Sequence, residues 1–77
     1  MDIGTDVYGI FRSGQQVHIR CGEVVGSRNE DFTVMYSTDF CWTYNRRDIG
    51  RHVFLTEDEA NEAVERFYRN VKMGFYD

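Results

Sequence analysis

A capping box followed by a single apolar stripe constrains the fold of this chain more than any other feature of its sequence. Thr56 is followed three residues later by Glu59. At this spacing the threonine hydroxyl accepts from the backbone N–H of Glu59, and the glutamate carboxylate reaches back to the N–H of Thr56. The apolar positions that follow recur at intervals of three and one, which places them on one helix face. They are Ala60, Ala63, Val64, Phe67, Tyr68 and Val71. We therefore predict an amphipathic helix over 56–73.

The sequence before this helix predicts strands joined by short turns, with no second helix. Alternation of apolar and polar residues, with Gly, Asn and Asp between the alternating runs, marks five strands. They cover 5–12, 15–25, 32–36, 40–44 and 51–55. The polar segment 26–31 is predicted as a hairpin loop, and 45–50 as a turn with a 3₁₀ step. Gly9 and Gly22 are expected to bulge or bend their strands.

Short connections between successive strands indicate an antiparallel meander. A long, bent second strand and a 3₁₀-like turn before a short fifth strand are typical of a small SH3-like barrel, whose open side needs a cover. We expect the helix to supply that cover. The predicted fold is α+β: a five-stranded antiparallel SH3-like curled sheet or barrel, formed by 1–55, closed by one C-terminal α-helix in a single domain, 1–77.

Composition limits what such a domain does. Of the 77 residues, 42% are hydrophobic, which indicates a folded chain. The net charge of −4 argues against binding to the phosphates of a nucleic acid. No apolar run approaches the ~18 residues of a membrane span. The N-terminus, with Asp2 and Asp6, is unlike a signal peptide. We therefore expect a cytoplasmic protein with no membrane partner.

Two cysteines and two histidines raise the question of a disulfide or a metal. Cys21 and Cys41 lie on predicted strands among apolar neighbours, and in a reducing cytosol we expect reduced thiols in the core. With His18 and His52 they supply the donor types of a zinc site. Their spacing fits no zinc ribbon or finger, and His18 and Cys21 fall on opposite faces of a regular strand. We expect neither a metal site nor a cofactor.

The segment DIGRHVFLTEDEANEAV, residues 48–64, resembles a known family. Small uncharacterised proteins of phages, prophages and other mobile elements of Firmicutes commonly end in a segment close to DIGKTVFLTREEAEKAL. Trp42 and Tyr44 also agree with the W-x-[FY] pattern of that family. The identical positions are Asp48, Ile49, Gly50, Val53, Phe54, Leu55, Thr56, Glu59, Ala60 and Ala63. The resemblance covers about 42–67, carries over no catalytic residue, and implies a mobile-element origin and a bacterial cytosol. Many small acidic proteins of such elements inhibit host defence, anti-CRISPR proteins among them.

The first turns of the predicted helix are strongly acidic. Five carboxylates lie there, on Glu57, Asp58, Glu59, Glu62 and Glu65. As a binding site they would imitate phosphates and occupy a basic groove of a partner, with Asp58, Glu62 and Glu65 as candidates. As a structural feature, the acids of the first turn suit the positive end of the helix dipole, and Glu62 and Glu65 pair with Arg66 and Arg69 four residues later. On the first interpretation, charge reversal at Glu62 and Glu65 abolishes partner binding.

A second group mixes aromatic and basic side chains. Its members are Trp42, Tyr44, Arg46, Arg47 and Arg51. Stacking surfaces for single-stranded nucleic acid are built from these residue types. Alternate aromatics on a strand also suit a core, and arginines in a turn also suit solvent. The sequence leaves open whether Trp42 and Tyr44 are core or surface.

No combination of residues in the sequence indicates catalysis. The glycines form no phosphate-binding loop, and neither histidine lies beside a nucleophile in the sequence. The leading hypothesis is a non-enzymatic mobile-element protein that binds and inhibits a host protein, in its sharpest form a CRISPR nuclease. The alternatives are a small SH3-like nucleic-acid-binding barrel, and a homo-oligomeric structural protein that associates through a sheet edge.

Overall fold

The computed structural model describes residues 1–72, in which five strands and one α-helix follow one another. The strands are β1 (Asp6–Ser13), β2 (Gln16–Arg28), β3 (Asp31–Ser37), β4 (Phe40–Asn45) and β5 (Val53–Phe54), and the helix is α1 (Glu57–Lys72). The 3₁₀ turn Arg46–Asp48 separates β4 from β5. The prediction of an α+β fold with five antiparallel strands and a C-terminal helix is confirmed. The last position of the predicted helix, Met73, lies outside the described residues.

The strands form one sheet in the spatial order β4-β3-β2-β1-β5. Short turns join β1 to β2, β2 to β3 and β3 to β4. β5 lies at the edge of the sheet opposite β4, where it pairs with β1. This last pairing is short, joining Tyr8 to Phe54 and Gly9 to Val53. The sheet curls without closing, since in the described part of the chain β4 pairs with β3 alone. Its opening lies between β4 on one side and β1 with β5 on the other.

The main core lies on the inner face of this curl. Register places Val24 opposite Val34 and Phe32 opposite Tyr44, and residues paired in this way share a face of the sheet. The buried members of the cluster are Val7, Val24, Phe32, Val34, Tyr44 and Val53, with Tyr36 and Ile49 packed against them. β-branched and aromatic side chains pack well on a pleated, half-buried surface, which is why these segments form strands.

Gly9 and Gly22 lie on the inner face beneath the ring of Tyr36. A Cβ atom at Gly9 would fall on the Tyr36 hydroxyl, and one at Gly22 would meet the Tyr36 ring and a methyl group of Val34. The pairing of β1 with β2 runs through both glycines without a register shift, so neither glycine forms a β-bulge between these strands. Close approach of the Tyr36 side chain is a sufficient reason for glycine at both positions.

β2 is longer than predicted. It continues to Arg28 through a register shift at Val25, where it changes its alignment with β3. The predicted loop 26–31 is therefore reduced to a two-residue turn at Asn29-Glu30. Asn29 has a φ of 56°, a left-handed conformation that asparagine tolerates better than most residues. The polar residues at the end of β2 belong to a strand because their backbone pairs with that of β3, although their side chains are not buried.

β5 is shorter than predicted. The prediction was a strand over 51–55, but the observed strand is Val53–Phe54. The backbone N–H groups of Arg51 and His52 donate to the Asp48 carbonyl at 3.0 and 2.9 Å. These two residues therefore belong to the turn that follows the 3₁₀ step.

α1 packs on the outer face of β1 and β2, opposite the main core. The Tyr68 hydroxyl accepts a 3.0 Å hydrogen bond from the backbone N–H of Val17. The guanidinium carbon of Arg12 lies 5.1 Å from the centre of the Phe67 ring. Neighbours along a strand point to opposite faces, so Arg12 faces away from the inward-pointing Phe11. The helix therefore covers the outside of the sheet, whereas the sequence led us to expect it over the open side, and it leaves the opening beside β4 uncovered.

The capping box of α1 forms with one change. The backbone N–H of Glu59 donates to the Thr56 hydroxyl oxygen at 3.3 Å, as predicted. The Glu59 carboxylate accepts at 2.9 Å from the Thr56 hydroxyl, where the prediction had the backbone N–H of Thr56. Within residues 1–72, no helix is both long and apolar enough to cross a membrane.

Candidate functional site

The curl of the sheet brings aromatic side chains of β1 and β4 into contact, although β2 and β3 lie between these strands. The ring centres of Phe11 and Phe40 are 5.5 Å apart. Tyr36 packs against these two rings at 4.9 and 5.7 Å. Trp42 continues the row from Phe40 at 6.2 Å. These distances are those of favourable aromatic pairs, and the rings form a continuous surface at the opening of the sheet.

A groove of about 350 Å³ follows this surface. Side chains of β1 form one wall, those of β4 form the other, and the turn before β5 closes one end. The lining residues are Ile10, Phe11, Phe40, Trp42, Tyr44, Asp48 and His52. We call this feature the aromatic groove. Apolar and aromatic walls with a few polar groups are the usual composition of a ligand-binding cleft.

Trp42 and Tyr44 share a face of β4 but differ in burial. Trp42 is 52% exposed, whereas Tyr44 is 5% exposed. Tyr44 lies opposite Phe32 in the core, with the ring centres 5.6 Å apart, while Trp42 lies at the opening. The sequence left open whether these two residues are core or surface. Tyr44 belongs to the core, and Trp42 belongs to the surface.

Two tyrosine hydroxyls meet beneath the aromatic groove. The oxygens of Tyr36 and Tyr44 are 2.7 Å apart. Burial, followed by the hydrogen bond to Tyr44, raises the pKa of Tyr36 well above its ordinary value. Burial also raises the pKa of Tyr44, as does the nearby charge of Asp48, while the hydrogen bond between the two hydroxyls opposes this shift. Both hydroxyls therefore stay protonated at neutral pH.

The 3₁₀ turn holds Asp48 at one end of the aromatic groove. Its Oδ2 accepts a 2.9 Å hydrogen bond from the backbone N–H of Asn45. The side-chain carbonyl of Asn45 accepts from the N–H of Arg47 at 3.1 Å, and its Nδ2 donates to Asp31 at 2.9 Å. Asn45 and Asp48 thus cap the turn reciprocally, as in a capping box. A short sequence, N-R-R-D, is sufficient to orient this carboxylate.

Arg20 lies at the other end of the aromatic row. Its guanidinium carbon is 5.7 Å from the centre of the Phe40 ring, within the range of a cation–π contact. The aromatic row therefore carries a cation near Phe40 and a carboxylate, Asp48, near Tyr44. The charges at the site are mixed, unlike those of a surface that binds phosphates.

The structure divides the predicted nucleic-acid-binding group. Trp42 and Tyr44 line the aromatic groove. Arg46 and Arg47 line a separate depression of about 550 Å³, whose other walls are also polar. Arg51 is exposed in the turn before β5. The arginines and the aromatics therefore do not form one stacking surface.

The predicted partner-binding residues are all exposed on α1, as a docking face requires. Asp58 lies in the first turn. Glu62 and Glu65 line a shallow depression of about 260 Å³ together with Arg66 and Arg69. Bases are thus interleaved with the acids, and this face resembles a solvated helix surface more than a row of phosphates.

Both cysteines are exposed free thiols, so the prediction that they lie in the core is wrong. Cys21 is paired with Tyr8, and Cys41 with Met35, on the outer face of the sheet. The inner face is filled by larger side chains, and the alternation of each strand turns its cysteine outward. Among residues 1–72, no three His, Cys, Asp or Glu side chains lie together as a metal site requires.

Sequence reasoning missed three residues that meet at the aromatic groove. The sequence pattern assigns Phe11 to the first strand, Asp48 to the turn 45–50 and His52 to the fifth strand, and it indicates no shared site for them. The approach of Phe11 to Phe40 depends on the curl of four strands, which no local pattern reports. The spacing of Asn45 and Asp48 was a usable signal, because it repeats the logic of a capping box and fixes the carboxylate.

No protein-family model, no curated protein and no solved structure matches this chain.

Proposed function

We propose that this chain is a non-enzymatic interaction protein that binds an extended segment of a partner protein in the aromatic groove. The observation that carries the proposal is Trp42, an indole 52% exposed at the end of a packed aromatic row. It lies at an opening that no described part of the chain covers. Tryptophan anchors supply large contact area at low entropic cost, and they dominate the energetics of many interfaces. A partner segment in the groove would bury this ring.

The free edge of β4 supports an extended conformation for the partner. The strand reads FCWTYN and has neither a charged residue nor a proline. Exposed edge strands usually carry such residues, because they prevent pairing with other chains. Among the described residues, β3 is the one sheet neighbour of β4. A segment laid along this edge would hydrogen-bond to its backbone and place alternate side chains against Trp42.

The partner that we propose is a host protein, and the proposed consequence of binding is its inhibition. The resemblance of residues 42–67 to mobile-element proteins supports both parts. The narrowest version of the proposal is inhibition of a CRISPR nuclease in the bacterial cytoplasm. An interference assay in cells that express this chain tests that version, and unchanged interference contradicts it.

The groove is tested by a tagged pull-down from nuclease-treated bacterial lysate, with mass spectrometry of the retained proteins. Wild type is compared with Trp42→Ala and with a matched control, Met35→Ala. Met35 is also a large exposed apolar residue, 39% exposed, but it lies on the opposite face of the sheet. We expect Trp42→Ala to weaken retention of a specific partner by about thirtyfold, the usual cost of losing a tryptophan hot spot, and Met35→Ala to retain it.

Two results would contradict the proposal. If folded Trp42→Ala retains the partner as wild type does, the aromatic groove is not the binding site. If Met35→Ala loses the partner equally, binding depends on general surface hydrophobicity and not on this groove.

Binding of single-stranded nucleic acid is the second candidate function. Trp42 is an exposed stacking platform, and Arg20 already places a guanidinium over the adjacent Phe40 ring. This function requires an affinity for labelled oligonucleotides that falls with salt and weakens in both Trp42→Ala and Arg20→Ala. The absence of any affinity at low salt would exclude it.

A further inference from the structure

We infer that the aromatic groove selects a cationic side chain, an arginine or lysine, on the extended segment that it binds. This inference deepens the proposed function and rests on it. It concerns the part of the groove whose lining includes Trp42, Tyr44 and Asp48. The occupant is therefore a basic segment of a protein partner.

The walls of the groove offer the surface that a cation prefers. Phe11, Phe40, Trp42 and Tyr44 line it, and the face of each ring carries the negative part of its quadrupole. The chain already uses its aromatic rings in this way. Arg20 lies 5.7 Å from the Phe40 ring centre, and Arg12 lies 5.1 Å from that of Phe67. A guanidinium or ammonium group from a partner would make the same contact with the exposed indole of Trp42.

Asp48 supplies the counter-charge. Its Oδ2 accepts a hydrogen bond from the backbone N–H of Asn45, which leaves Oδ1 for a ligand. The cap of the 3₁₀ turn holds this carboxylate in place without a ligand, which lowers the entropic cost of binding. A cation between them would make a cation–π contact with the indole of Trp42 and an ion pair with the carboxylate of Asp48.

Charge over the groove and over the whole chain favours a basic occupant. Among the described residues that line the groove there is a carboxylate, on Asp48, and neither lysine nor arginine. His52 lines the same end, and Arg20 lies beyond Phe40. The net charge of −4 attracts a basic segment at long range and repels an acidic one.

The test uses three blocked tripeptides, each with a central residue between two glycines: arginine, citrulline and norleucine. Citrulline keeps the shape of arginine without its charge, and norleucine keeps an apolar stem. Each is titrated into ¹⁵N-labelled protein to about 10 mM, the range for a ligand this small, while the indole N–H of Trp42 is followed. We expect arginine to shift this signal and to bind about tenfold more tightly than citrulline or norleucine.

Asp48→Asn is the matched variant, because the amide oxygen still accepts from the backbone of Asn45 while the charge is lost. Asp6→Asn removes the same charge from an exposed site on the outer face of β1 and is the control. We expect Asp48→Asn to weaken binding of the arginine peptide by about tenfold and Asp6→Asn by less than about twofold.

Three outcomes overturn the inference. Equal binding of norleucine and arginine at Trp42 shows a groove that takes polypeptide without selecting charge, and it leaves the proposed function standing. Arginine shifts confined to α1 place the cation site elsewhere. No shift at Trp42 from any peptide removes the cation site, while the pull-down with Trp42→Ala decides the proposed function independently.

Discussion

The ring of Tyr36 lies over Gly22 so closely that a Cβ atom there would meet both the ring and a methyl group of Val34. We expect Gly22→Ala to lower the free energy of unfolding by about 1–3 kcal/mol, the usual cost of overpacking a core. Gly26→Ala in the same strand is the control, because the nearest atom to its Cβ is the Cβ of Thr33 at 3.7 Å, an ordinary contact. Urea unfolding of both variants measures the difference, and equal losses would contradict the packing argument.

The hydroxyl pair of Tyr36 and Tyr44 is a second feature at the scale of single residues. Tyr44→Phe leaves the half-buried hydroxyl of Tyr36 without this partner, and we expect a loss of about 1–2 kcal/mol in the free energy of unfolding. The double variant to phenylalanine removes both polar groups. It should therefore lose less stability than the sum of the two single variants. Additive losses in the double-mutant cycle would show that the bond contributes nothing specific.

At the scale of elements, α1 depends on its N-terminal cap. The Thr56 hydroxyl joins the backbone N–H and the carboxylate of Glu59 in one local network. We expect Thr56→Ala to lower the free energy of unfolding by about 1 kcal/mol, and Thr56→Ser to have little effect because serine keeps the hydroxyl. Chemical unfolding followed by circular dichroism checks this, and a serine variant as unstable as the alanine variant would contradict it.

The strands show why element positions were easier to predict than element lengths. β2 extends beyond the predicted 15–25 because its backbone keeps pairing with β3 past the bulge at Val25, in a segment whose side chains are polar. β5 is shorter than 51–55 because the N–H groups of Arg51 and His52 donate to a turn carbonyl. Side-chain patterns report burial, whereas the ends of strands are decided by backbone hydrogen bonds.

At the scale of the whole molecule, net charge should control association with a basic partner. Reversing Glu62 and Glu65 to lysine brings the net charge from −4 to 0. We expect partner association to slow by about tenfold at low salt and the difference to shrink at high salt. The loss of two i→i+4 helix pairs costs about 0.5 kcal/mol each, so the fold persists.

The control for this experiment is the reversal of Asp2 and Asp6, which changes the net charge equally at another exposed surface. Equal slowing by both double variants would assign the effect to total charge. Greater slowing by the helix variant would identify α1 as part of the interface, and an unchanged rate in both would remove long-range charge from the proposal.

By itself the sequence determined the elements and their order. The capping box and apolar stripe located α1, alternation located the strands, and the N-R-R-D segment encoded the 3₁₀ turn that carries Asp48. These are short-range signals, because each depends on residues a few positions apart whose side chains or backbone groups meet within one turn or one strand.

Only the tertiary structure decided which faces are covered. Trp42 and Tyr44 follow the same alternation, yet one is at the opening and the other in the core. Cys41, between them, faces outward and is exposed. Phe11 meets Phe40 because the sheet curls, with the Tyr36 ring packed over the glycines of β1 and β2. The helix α1 packs on the outer face of the sheet. Curl and helix placement come from the packing of all the strands together, so the aromatic groove has no local signature in the sequence.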